Sequence, residues 1–110
     1  MTVNDLLKVE GFSSVVLCEA DREIQGVYIG DLLSWVMGRA KSGDAWITIM
    51  SNVNTLAVAT LADTSCIILA EGVSLDEGVK ETAQAKGINV ISTPLSSYSA
   101  ALKLYSVLKL

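Results

Sequence analysis

The chain has 110 residues, enough for one compact domain and too few for two ordinary ones. With 51% hydrophobic residues and only 18% charged, it is too apolar to be disordered, and part of its surface is expected to be hidden in an oligomer. A net charge of −4, singly scattered Lys and Arg and no histidine remove three things: the basic face a nucleic acid needs, the commonest neutral-pH general base and the commonest metal ligand.

Thr2 is placed to cap a short helix over 3–8, with Asp5 standing where a capping box usually has Glu or Gln. The amino terminus shows no basic segment ahead of an apolar core, so no signal peptide is expected. Residues 14–19 contain the apolar run Val15-Val16-Leu17-Cys18 and predict a strand. Residues 20–26 are polar and turn-like, and Asp21-Arg22-Glu23 reads as a solvated loop. Residues 26–30 are either a brief strand or an extended approach to the next element. Asp31 is expected to cap a helix over 31–39, with Leu32, Leu33, Val36 and Met37 on one face and Trp35 beside them.

From residue 45 a rhythm sets in. Strand 45–50 leads to helix 54–62, strand 66–70 to helix 75–86, and strand 88–92 to helix 97–108. Three strand–helix units in succession predict an α/β fold, a parallel sheet of about four strands with helices on both faces. Ser74 and Glu77 sit at capping-box spacing before helix 75–86, and Gly87 is a suitable stop. Helix 54–62 has no charge before Asp63. It is either buried by the sheet and another subunit, or placed centrally over the sheet. The last helix carries Leu102, Tyr105 and Leu108 as a packing surface. Cys18 and Cys66 both sit in apolar runs and read as buried free thiols, with a disulfide requiring that neighbouring strands align them. Two cysteines alone cannot hold a structural zinc or an iron–sulfur cluster. The longest apolar runs fall far short of a membrane span, so a cytoplasmic protein without a membrane partner is the expectation.

In an open parallel sheet, ligands favour the carboxyl ends of the strands. Here those ends read Ser51-Asn52-Val53-Asn54, Glu71-Gly72-Val73-Ser74 and Thr93-Pro94-Leu95-Ser96-Ser97-Tyr98. Each is rich in small polar groups and opens a helix with free N–H groups. The candidate ligand-binding residues are Ser51, Asn52, Asn54, Glu71, Gly72, Thr93, Ser96 and Ser97. Asn54 and Ser96 would also be chosen simply as helix caps. Glu71 is either a partner for a cation or a ligand amine, or a solvated loop acid. Tyr98 reads as a packing residue with its hydroxyl in water. No phosphate loop, no Gly-x-Gly-x-x-Gly after a strand and no Ser-His-Asp set is present, and Asp21, Glu23 and Asp31 lack the order of a magnesium site. No cofactor and no metal are expected.

Four stretches carry a family resemblance: Gly26 to Met37, Trp46 to Ala59, Ile67 to Asp76 and Ile88 to Ala101. Over most of its length the chain resembles the DRTGG domain family in its stand-alone form. That domain is similar to the amino-terminal part of bacterial HPr kinase/phosphorylase, which is not its catalytic part. It also occurs beside cystathionine-beta-synthase-type regulatory domains. The resemblance implies one α/β accessory or regulatory domain over 1–110, often dimeric. The naming motif departs at two places. Ser51-Asn52-Val53-Asn54 stands where a charged Asp-Arg pair would be, and Glu71-Gly72 replaces a Gly-Gly pair, so only Gly72 carries over.

The expectation is therefore a non-enzymatic regulatory domain, a homodimer, binding a small molecule or nucleotide at the strand ends. The alternative is a protein–protein interaction or assembly subunit linked to a hydrogenase or a serine-kinase signalling system. An enzyme using Glu71 or Asp31 with a metal ranks third.

Overall fold

A short strand that is apolar at every position needs cover on both of its faces. β3 (Asp44–Thr48) and β4 (Cys66–Leu69) are buried throughout, and β5 (Val90–Ser92) nearly so. In the computed structural model, which describes residues 1–108, they form the middle of a five-stranded sheet. β2 (Gly26–Ile29) and β1 (Ser13–Val16) are its edges, in the order β1-β5-β4-β3-β2. β3, β4 and β5 run parallel, as the strand–helix rhythm predicts, and residues 26–29, left open between a strand and an extended approach, form the parallel strand β2. β1 adds an antiparallel edge against β5, with an irregularity between Ser14 and Val16.

The pleat sends alternate residues to opposite faces. Ile47, Ile68 and Ile91 align across the three central strands and face one core, which also holds Ala45 and Cys66. That core is closed by α1 (Val3–Leu6) through Val3 and Leu6, and by α5 (Ser97–Leu108) through Ala100 and Leu104. Trp46, Ile67 and Val90 form the matching row on the other face. Above them lie α2 (Leu33–Arg39), α3 (Val53–Ala62) and α4 (Glu77–Lys86), contributing Val36, Leu56, Val58, Ala59 and Ala83. The chain steps from β2 to β5 in one direction, so its three crossover helices share a face. Only α5, after the last strand, crosses to the other side.

α3 is placed centrally over the sheet, beside α2 and α4. Thr55, Leu56, Val58, Ala59 and Ala62 are buried, while Leu61 is 70% exposed. The Thr2–Asp5 capping box forms as expected: Thr2 Oγ1 accepts from Asp5 N, and Asp5 Oδ2 accepts from Thr2 N. The donated N–H of Thr2 holds the Asp5 carboxyl below the ordinary carboxylate range. Gly87 ends α4 in the left-handed region, also as expected.

Other expectations need correction. Ser74 does not cap α4. The helix starts later, at Glu77, with Asp76 in the cap position and no side-chain bond, because Ser74 still belongs to the extended exit from β4. The four apolar residues foreseen on one face of α2 divide. Val36 is buried and Leu33 half-buried, but Leu32 and Met37 are exposed, as is Trp35 beside them. A helix of seven residues at the β2 edge is covered on one stripe only, by α3. Cys66 is buried, and burial pushes its thiol up to about 12. Cys18 is exposed, because β1 ends at Val16 and leaves it outside the sheet; both cysteines are free. Within Asp21-Arg22-Glu23, Arg22 is not solvated as foreseen. Its half-buried guanidinium pairs with Asp63 at 3.0 Å and donates to the Asp63 carbonyl at 2.8 Å, a cation against the carboxyl end of α3.

Asn89, 3% exposed, ties these pieces together. Its Oδ1 accepts from the N–H groups of Cys18 and Glu19 at 2.9 and 2.8 Å. Its Nδ2 donates to the carbonyls of Glu19 and Ser65 at 2.8 and 3.1 Å. Truncation would orphan all of these backbone groups at once. Asn89→Ala is expected to lower unfolding free energy by about 3 kcal/mol in urea titrations. A loss under about 1 kcal/mol would show that water replaces the amide freely.

Candidate functional site

Strands that run parallel deliver their carboxyl ends to one edge, and the polar segments after β3, β4 and β5 meet there. At the β2–β3 side, Asp31 acts as a strap instead of the helix cap foreseen. Its Oδ1 accepts from Thr48 Oγ1 at 2.8 Å and from Ile49 N at 3.0 Å. Thr48 Oγ1 in turn accepts from Met50 N at 3.1 Å, and Trp46 Nε1 donates to Gly30 O at 2.8 Å. α2 then starts at Leu33, with Leu32 in the cap position and no side-chain cap. Asp31 is committed to the end of β3, which stiffens the two loops together.

Asn52, and not Asn54, caps α3. Asn52 Oδ1 accepts from Thr55 N at 3.1 Å and lies 3.4 Å from Thr55 Oγ1. Asn54 is an exposed residue of the first helical turn. The reason is that β3 ends early, at Thr48, so the turn completes two residues sooner than the pattern suggested. Asn52 is exposed at the strand end, next to half-buried Ser51.

Glu71, Gly72 and Thr93 are brought into direct contact. Glu71 N donates to Leu95 O at 2.8 Å, Gly72 N to Thr93 O at 3.0 Å, and Thr93 N to Leu69 O at 3.0 Å. The chain leaves β4 toward α4 on one face and β5 toward α5 on the other. These bonds therefore close the crevice that diverging crossovers leave. Thr93 is 1% exposed, and its hydroxyl accepts from Leu95 N at 3.2 Å, so it holds the loop and offers little to a ligand. Ser96 caps α5, accepting from Ser99 N at 3.1 Å, and Ser97 opens that helix half-buried. Glu71 is exposed with φ of 60°, and Gly72 follows at 71°. Glu71 thus occupies a left-handed conformation that glycine takes without strain.

The eight candidates thus share an edge, while the cavity on that edge lies to one side of them. It measures about 520 Å³ and is lined by Glu10, Gly11, Pro94, Leu95, Ser99 and Lys103. Glu10 and Gly11 arrive because β1 pairs antiparallel with β5, Ser13 opposite Ser92. No strand–helix rhythm discloses that pairing, so the sequence pattern passed over these residues. Tyr98 is 72% exposed beside them. No cluster of three or more Cys, Asp or Glu side chains placed to hold a metal occurs among the described residues.

The DRTGG domain profile matches residues 8–107, and the chain belongs to the DRTGG domain family. Among solved structures it is similar to the CBS and DRTGG domains of the regulatory region of Clostridium perfringens pyrophosphatase, complexed with the activator diadenosine tetraphosphate. The TM-score is 0.73 at 17% identity, covering 94% of this chain and 45% of that one. The chain thus spans less than half of that structure's length, and the likeness is one of fold. No curated protein matches the chain. No helix among the described residues is long and apolar enough to cross a membrane.

Two stability measurements follow from the loop geometry. Asn52→Ala should cost about 1 kcal/mol and Asn54→Ala less than about 0.5 kcal/mol in thermal unfolding; the reverse order would return the cap to Asn54. Glu71→Gly should stabilise the fold by about 1 kcal/mol by relieving the left-handed backbone. A destabilised variant would mean that the glutamate side chain compensates its own strain.

Proposed function

We propose that the chain is a non-enzymatic regulatory or accessory domain that binds a small, nucleotide-like ligand over the carboxyl ends of its parallel strands. The observation that carries this reading is its likeness, over 94% of the chain, to a regulatory region solved with a dinucleotide activator. The edge itself supports it. Ser51, the Asn52 amide and Ser97 present neutral hydrogen-bonding groups there, Glu71 and Gly72 stand between them, and bonded loops hold the edge in place. Such a domain would act beside a catalytic or partner chain. Its expected place is among soluble cytoplasmic proteins.

A second reading is docking on a protein, a homodimer first of all. Ile29, Leu32, Trp35, Met37, Ile49 and Val53 are exposed along the end of β2, α2 and the β3–α3 turn, with the Arg39 guanidinium 4.1 Å from the Trp35 ring centre. An apolar surface of this kind suits a partner. A link to a hydrogenase or serine-kinase system rests on the family resemblance.

The two readings separate in solution. Thermal shift with nucleotides, diadenosine tetraphosphate included, should raise the midpoint by several degrees once ligand is well above its Kd. Asn52→Ala should lose more of that shift than its own cap loss explains. If no nucleotide shifts the midpoint while light scattering shows a dimer, the ligand reading fails and docking stands.

A further inference from the structure

The cavity of about 520 Å³ on the carboxyl edge falls within the range of roughly 300–1,000 Å³ typical of small-molecule sites. Two segments that the β1–β5 pairing brings together form it: Glu10 and Gly11 ahead of β1, and Pro94, Leu95, Ser99 and Lys103 before and along α5. Pro94 and Leu95 supply an apolar wall. Gly11 meets Leu95 without a side chain of its own. Its φ of 97° is one that glycine takes without strain, and a Cβ there would stand 3.7 Å from Leu95 Cδ1. The rim is polar. Ser99 and Lys103 are four residues apart on α5 and share a face, and Glu10 stands on the other segment. Among the described residues, Lys103 and Glu10 are paired neither with each other nor with any other charge. The polar groups next to them are committed already: the Thr93 hydroxyl to Leu95 N, and the Glu71 and Gly72 N–H groups to the carbonyls of Leu95 and Thr93.

An ammonium, a hydroxyl and a carboxylate around an apolar wall are therefore what this corner offers a ligand. We propose that the cavity anchors one nucleoside monophosphate unit, its base against Pro94 and Leu95, its ribose hydroxyls donating to Glu10, and its phosphate on Lys103 and Ser99. The inference rests on the nucleotide reading above, and it moves the anchor from Ser51 and Asn52 to the β1–β5 corner. A carboxylate suits the ribose hydroxyls, which are donors, and one ammonium matches one phosphate. A bare phosphate would meet a single exposed lysine with a carboxylate close by, and would gain little.

The test is an amide-shift titration of the ¹⁵N-labelled full chain with adenosine 5′-monophosphate, adenosine and inorganic phosphate in separate arms. The monophosphate should give saturable shifts at Gly11, Leu95, Ser99 and Lys103, and at Glu71, whose N–H is bonded to Leu95 O at 2.8 Å. Adenosine should move the same amides with roughly tenfold weaker affinity, and phosphate should move none of them. Lys103→Met should bring the monophosphate down to the affinity of adenosine and leave adenosine unchanged. Ser99→Leu should block both while the chain stays folded, since that position is exposed. Saturable shifts centred on Ser51 and Asn52, with Ser99→Leu binding as the parent does, would overturn the cavity and leave the nucleotide reading standing. An equal response to phosphate would overturn the nucleoside assignment. Absence of a saturable shift with both the monophosphate and adenosine would also overturn the cavity, and the thermal-shift series then decides separately whether the nucleotide reading falls with it.

Discussion

Where the chain leaves the sheet's β1 edge, one amide holds three segments together. Asn89 gives both of its N–H bonds and both acceptor positions of its oxygen to backbone groups, and little of it reaches water. Its partners come from residues 18–19 and from Ser65, segments far apart in the chain. A hydrophobic contact could hold the same pieces near one another, but it could not fix their register. The exit of the chain from β1 and the start of β4 are therefore tied together by one side chain, while the β1–β5 ladder holds the antiparallel edge itself. Aliphatic rows above and below then supply most of the driving force without direction of their own.

Stepwise addition of strands in one direction shapes the rest. Three crossover helices on one face leave the other to α1 and α5, and the two loops that diverge from β4 and β5 meet at the carboxyl edge. Where a doubly wound sheet would open a crevice there, backbone bonds from Glu71 and Gly72 to the Thr93–Leu95 segment seal it. The space left on this edge is the cavity beside that seal, between Glu10, Leu95 and Lys103.

The strand–helix rhythm made the parallel sheet and its two-sided cover legible, because β3 and β4 are short, apolar at nearly every position and followed by helices. The place of β1 was not legible. Its partner, β5, lies more than seventy residues on, and nothing local in Val15-Val16 records which strand it meets. Caps were legible in kind and less so in position. Asparagine, serine and aspartate crowd each junction, and the point at which the strand ends decides which of them caps: Asn52 over Asn54, Asp76 over Ser74. Asp31 shows the same limit from the other side, a good cap by type that the end of β3 claims first. Of the eight candidate residues, the edge they share was readable; the cavity beside it was not, because Glu10 and Lys103 reach it only through tertiary pairing.

The contrast between the two thiols has a practical side. Cys66 is sealed in the core with its proton held, so a maleimide or iodoacetamide reagent meets only Cys18 while the chain is folded. The natural sequence thus carries one addressable attachment point, and its backbone N–H is bonded to Asn89. A fluorophore or spin label placed there sits beside the tie that organises the β1 edge, and would report on its opening without any engineered residue.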